Sequence, residues 1–108
     1  MAKKRAASRK PKRPKGAPAH LSDEAAREWD AIRVEYGIDD VAGLRLLTTA
    51  YEAFDRMRDA QARIQEEGIT GPDRFGQLKP NPACVIERDS RAALSQLIRQ
   101  LGIDQEEE

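Results

Sequence analysis

Residues 39–68 read DDVAGLRLLTTAYEAFDRMRDAQARIQEEG, and this stretch decides the fold. Asp39 or Asp40 is placed to cap a helix, Gly68 to stop it, and no proline interrupts the run between them. A helix of about 27 residues spans roughly 40 Å at 1.5 Å per residue, long for a chain of 108. It carries two apolar stripes. Leu44, Leu47, Tyr51 and Phe54 recur at helical spacing with side chains large enough to fill a core. Leu46, Ala50, Ala53, Met57, Ala60 and Ile64 form a second, mostly small stripe with alternating four- and three-residue steps. Small residues let another helix approach closely, so this stripe is expected to be a seam between subunits. The alternative is that both stripes are buried within one monomer.

On either side of this helix the pattern predicts a shorter one. Ser22 caps a first helix whose opening acids, Asp23 and Glu24, oppose the positive end of its dipole. Ala25, Trp29, Ile32 and Tyr36 share its inner face, Gly37 ends it, and Trp29 is read as a core anchor rather than a base-stacking platform. Residues 68–79 hold three glycines and a proline, which predicts a turn-rich connection with a short hairpin built on Ile69 and Phe75 or Leu78. Asn81 then caps a third helix with Pro82 in its first position, where a missing N–H costs nothing. Ile86, Ala93, Leu94, Leu97 and Leu101 are its expected inner face; Gly102 takes the left-handed stop and Ile103 folds back towards Ile98. The expected class is all-α, three main helices with the long central one in an antiparallel helical hairpin, together with a disordered basic N-terminal arm.

Charge divides the chain sharply. Its 19 Lys and Arg balance 19 Asp and Glu, yet Lys3, Lys4, Arg5, Arg9, Lys10, Lys12, Arg13 and Lys15 all fall before residue 21 with no acid among them. The remainder is correspondingly acidic and ends in Asp104, Glu106, Glu107 and Glu108. The expected divisions are a basic arm over 1–20, a helical oligomerisation core over 21–103 and an acidic tail over 104–108. Lys, Arg, Pro and small residues cannot bury enough surface to offset chain entropy, so the arm should be disordered when free. Eight charges of one sign suit a polyanion-binding arm better than a merely solubilising leader. A body of roughly 80 residues is near the size where one core yields only about 3–5 kcal/mol, so burial between subunits is expected.

Catalytic chemistry finds little support. Gly71 and Gly76 have phosphate-loop spacing, but Gln77 and Leu78 stand where Lys and Ser or Thr would be needed. His20 is the sole histidine, at the edge of the expected disordered arm, and Cys84 the sole cysteine, which leaves no intrachain disulfide, no HExxH motif, no triad and no His-pair or Cys-based zinc site. Cys84 is read as a small buried apolar residue in the first turn of the third helix. The helical carboxylates neighbour arginines and read as solvated faces. No enzyme, cofactor or metal is expected. One cysteine, no membrane span and no secretory signal suggest a soluble intracellular protein.

Taken in order, Gly16-Ala17-Pro18-Ala19-His20-Leu21-Ser22, a helix centred on Trp29, a long helix ending in Glu67-Gly68, Lys79-Pro80-Asn81-Pro82-Ala83 and a last helix closed by Leu101-Gly102-Ile103 resemble the small terminase subunits of tailed double-stranded-DNA phages. The resemblance covers about residues 16–103, and Lys79 to Ala83 after the glycine-rich connection is its most specific element. It implies a homo-oligomeric ring in the host cytoplasm that binds viral DNA, recruits the large ATPase-nuclease subunit and regulates the start of packaging. It supplies no catalytic or metal-binding positions. No helix-turn-helix is evident, since the second helix is too long for a recognition helix and its charges are mixed, so DNA contact is expected from the eight arm cations. The acidic tail or the third helix is expected to meet the large subunit. Two rivals fit the same charge pattern: a small helical nucleic-acid-binding regulator unrelated to packaging, and a scaffold whose arm docks on an acidic protein or a neighbour's acidic tail.

Overall fold

The computed structural model describes residues 12–103, and over that span the protein is mostly helical with one small sheet. In chain order the elements are α1 (Asp23–Glu35), α2 (Val41–Glu67), β1 (Thr70–Pro72), β2 (Leu78–Pro80) and α3 (Pro82–Leu101). The expected helix ends hold because they are set by local chemistry. Ser22 accepts a hydrogen bond from Ala25 N–H at 3.0 Å, and Asp40 rather than Asp39 caps α2 through Gly43 N–H at 2.9 Å. Gly68 and Gly102 close α2 and α3 with φ of 89° and 77°.

Gly43 is glycine for a spatial reason. An added Cβ would lie 2.7 Å from the Asp40 carboxylate and 2.8 Å from Ile38 Cγ2. The cap and the packing of Ile38 therefore both require an empty position in the first turn of α2.

β1 and β2 pair antiparallel, with Thr70 opposite Pro80, Gly71 opposite Lys79 and Pro72 opposite Leu78. Ile69 and Phe75, expected within the hairpin strands, lie just before β1 and in the turn; Leu78 opens β2. Asn81 fastens this hairpin to both helices. Its side-chain oxygen caps α3 at Ala83 N–H (3.0 Å), its amide donates to Gly68 O (2.9 Å) and Glu67 (3.1 Å), and its own N–H donates to Ile69 O (2.8 Å). A buried carboxamide with these groups satisfied is a specific joint.

Long α2 is covered on two sides. Along one, Glu28, Trp29, Glu24 and Ser22 of the α1 region meet Tyr51, Thr48, Arg58 and Asp55. Along the other, Gln61 donates to Glu87 of α3 at 3.1 Å and Glu67 meets Asn81. Leu47, Ala50, Tyr51, Phe54 and Met57 form the core with Ala17, Leu21, Ala25, Ala26 and Trp29, and Leu94, Leu97, Ile98 and Leu101 pack against it.

This burial corrects the seam assignment. Ala50, Ala53, Met57 and Ala60 are buried within the single chain, and Leu46 and Ile64 at the stripe's ends are half-buried. The small residues do admit a close helix, but that helix is α3, which contributes buried Ala83 and Ser90. Tyr36 and Ile86 also depart from their expected inner faces, exposed at 48% and 47%. Tyr36 is the C-cap of α1, where the helical register ends, and Ile86 borders an open groove lined by Ala60, Arg63 and Ala83. Cys84 is half-exposed rather than buried.

Two consequences are measurable. Ala53→Glu places a carboxylate at a fully enclosed position, so it should destabilise the folded monomer by about 3 kcal/mol or more, read as loss of the cooperative thermal melt. The Glu87 carboxyl is held below its ordinary range by hydrogen bonds from Arg91 and Gln61. A depressed carboxylate stabilises the fold above its unfolded value of about 4.3, and that contribution is lost as pH falls through the folded value. Thermal melts from pH 7 to 3 should therefore show a smaller acid-side loss in Glu87→Gln than in the parental protein.

Candidate nucleic-acid interface

The expected DNA contacts begin in the arm, and Lys3, Lys4, Arg5, Arg9 and Lys10 lie outside the described residues, as does the acidic tail over 104–108. Lys12, Arg13 and Lys15 are described, and they divide in use. Lys12 and Lys15 are exposed, with ammonium groups available to phosphate. Arg13 turns back to the body: its guanidinium donates to Leu21 O at 2.6 Å, to Pro18 O, and to Asp23 at 3.3 Å. Arg13 thus fastens the arm to the body, which removes one of the eight expected phosphate contacts.

The rest of this segment is fastened too. Ala17 is buried and Leu21 is 3% exposed, so the packed body starts before the expected boundary at residue 21. His20 Nε2 lies 2.7 Å from Glu52, while Ser22 donates its N–H and hydroxyl to the two oxygens of Asp55 at 2.9 and 2.6 Å. These contacts hold residues 13–22 along one side of α2. Sequence periodicity could not reveal them, because they join positions 5 to 33 residues apart through carbonyls and single carboxylates.

The root of the arm is set among carboxylates. Asp23, Glu24, Glu52 and Asp55 surround it, and Arg58, the nearby cation on α2, is already bound to Glu24 at 3.0 Å. The field of these carboxylates disfavours an anion at the root itself. Neither Trp29 nor Tyr51 is presented as a stacking platform. Trp29 is 5% exposed and donates its indole N–H to Thr48 at 3.1 Å. Tyr51 donates to Glu28 at 3.1 Å, and burial together with that carboxylate pushes its phenol well above the ordinary range.

The glycine-rich connection is likewise committed to its own turn. The Asp73 carboxylate accepts the N–H groups of Phe75 and Gln77 at 2.8 and 2.9 Å, occupying donors that a phosphate loop would need free. Among the described residues no three His, Cys, Asp or Glu side chains are grouped to hold a metal ion, and no helix is long and apolar enough to cross a membrane.

Compared with known proteins, the chain matches no family model and has no significant match among curated proteins or solved structures.

The fastening by Arg13 is testable without any ligand. Arg13→Ala removes charge-assisted hydrogen bonds worth about 1–2 kcal/mol at a half-exposed site. Trypsin cleavage after Lys15 in the otherwise folded protein should then accelerate about tenfold or more, whereas Lys12→Ala should leave that rate unchanged.

Proposed function

We propose that this protein is a small terminase subunit: a DNA-packaging adaptor that assembles as a homo-oligomeric ring in the host cytoplasm, binds viral double-stranded DNA through its basic arm, and recruits and regulates the large terminase ATPase-nuclease. In this reading α2 and α3 form an antiparallel helical hairpin, the rigid part of each subunit, and the arms project from it. The subunit itself carries no catalytic centre and needs no cofactor.

The observation that carries the reading is the separation of charge: seven arm cations remain for phosphate once Arg13 is tied to the body, and the arm's root is ringed by carboxylates. Phosphate contacts of this kind give affinity that is steeply salt-dependent and weakly sequence-selective. Several arms on one assembly raise the effective concentration for a single DNA, so weak individual arms suffice. The Lys79 to Ala83 resemblance points to packaging as the context; within that stretch Asn81 joins α2, the hairpin and α3.

Deleting residues 2–12 tests the DNA assignment while sparing the fastened root. The parental protein should bind duplex DNA with log K falling against log salt at a slope of about −6, and the deletion should abolish most of that affinity while leaving the thermal melt intact. Unchanged affinity would move the site to the body. Equal affinity for short RNA, with no binding to a large terminase subunit, would favour a nucleic-acid-binding regulator instead.

A further inference from the structure

The exposed apolar side chains fall largely into two patches at opposite ends of α2. One joins the last turn of α1 to the first turn of α2: Val34, Tyr36 and Val41 are 63%, 48% and 80% exposed. The other is the β-hairpin, with Ile69, Phe75 and Leu78 at 67%, 75% and 74%. Apolar groups clustered in this way mark contact surfaces more often than scattered ones do. Roughly 40 Å of helix separates the patches, so they cannot cover one another within a single chain.

Their charges are opposite. The segment 34–41 contains Glu35, Asp39 and Asp40 and no cation. In the hairpin Asp73 is turned inward, its side chain 11% exposed, bonded to the turn amides and 4.0 Å from the Lys79 ammonium, while Lys79 itself is 68% exposed and Arg74 lies over the Phe75 ring at 5.1 Å. The hairpin therefore carries Arg74 and Lys79 against one inward Asp73 near its apolar groups, and the α1–α2 junction carries Glu35, Asp39 and Asp40 near its own, with Arg45 one turn beyond Val41. Pairing two hairpins or two junctions would set like charges together.

We infer that the hairpin of one copy docks on the α1–α2 junction of the next, a head-to-tail contact between two different surfaces of the same chain. The inference rests on the self-assembly proposed above and names its surface, in place of the α2 stripe that α3 already fills. A contact of this type closes into a ring when its rotation permits and otherwise runs on as a filament.

Native mass measurement on the full chain tests it with two double variants made only at exposed positions. Phe75→Ser with Leu78→Thr removes the hairpin surface; Val34→Ser with Tyr36→Ser removes the junction. Each should keep its helical circular dichroism and fall to single-chain mass. An equimolar mixture should form a two-chain species and nothing larger, because one intact hairpin then meets one intact junction and both outer ends are disabled. A charge reversal, Arg74→Glu with Lys79→Glu, should likewise dissociate the assembly and be rescued by Glu35→Lys with Asp39→Lys. An oligomeric parent whose variants all retain its mass overturns this surface and leaves the ring intact. A mixture that stays at single-chain mass overturns the head-to-tail arrangement, and a parent that is itself single-chain overturns both the surface and the ring.

Discussion

The buried carboxamide of Asn81 governs where the chain turns back on itself. A 27-residue helix with two apolar stripes cannot stand alone in water, and the second stripe is covered only if α3 returns along it. Asn81 binds the last carbonyl region of α2, the backbone of Ile69 and the first turn of α3 from one position. The hairpin between the helices is thereby fixed in place even though most of its own side chains are exposed. With α3 held there, Ala83 and Ser90 can sit against the small face of α2, and Leu94, Leu97, Ile98 and Leu101 reach the core shared with α1.

Helix starts and stops were readable in the sequence because each depends on a few adjacent atoms: a hydroxyl or carboxylate one turn from an N–H, a proline where no donor is needed, a glycine that accepts positive φ. The existence of two buried faces on α2 was equally readable, since periodicity reports that a face is covered. It does not report by what. A stripe such as Ala50, Ala53 and Ala60 looks the same whether it admits a neighbouring subunit or a helix of its own chain, and here α3 fills it. The same limit explains Arg13, whose charge reads as one of eight arm cations but whose guanidinium is directed to backbone carbonyls that only the folded turn at Pro18 and Leu21 assembles.

The two-signed charge of the chain takes on structural meaning from that root. Carboxylates of α1 and α2 neutralise Arg13 and meet His20 and Ser22, which anchors the arm, and their field discourages phosphate from approaching the anchor itself. In the proposed function, binding and anchoring are divided between cations only a few residues apart. The proposed head-to-tail contact extends the same logic to the body, since it uses apolar side chains that intrachain packing leaves exposed.

The central claim is that many copies of a weak DNA-binding arm act together on one ring. Electron microscopy of the purified full chain bound to duplex DNA addresses it most directly. Closed rings of a single subunit number associated with the DNA are the expected result; single-chain particles distributed along the duplex would show that the arms act singly, without a ring.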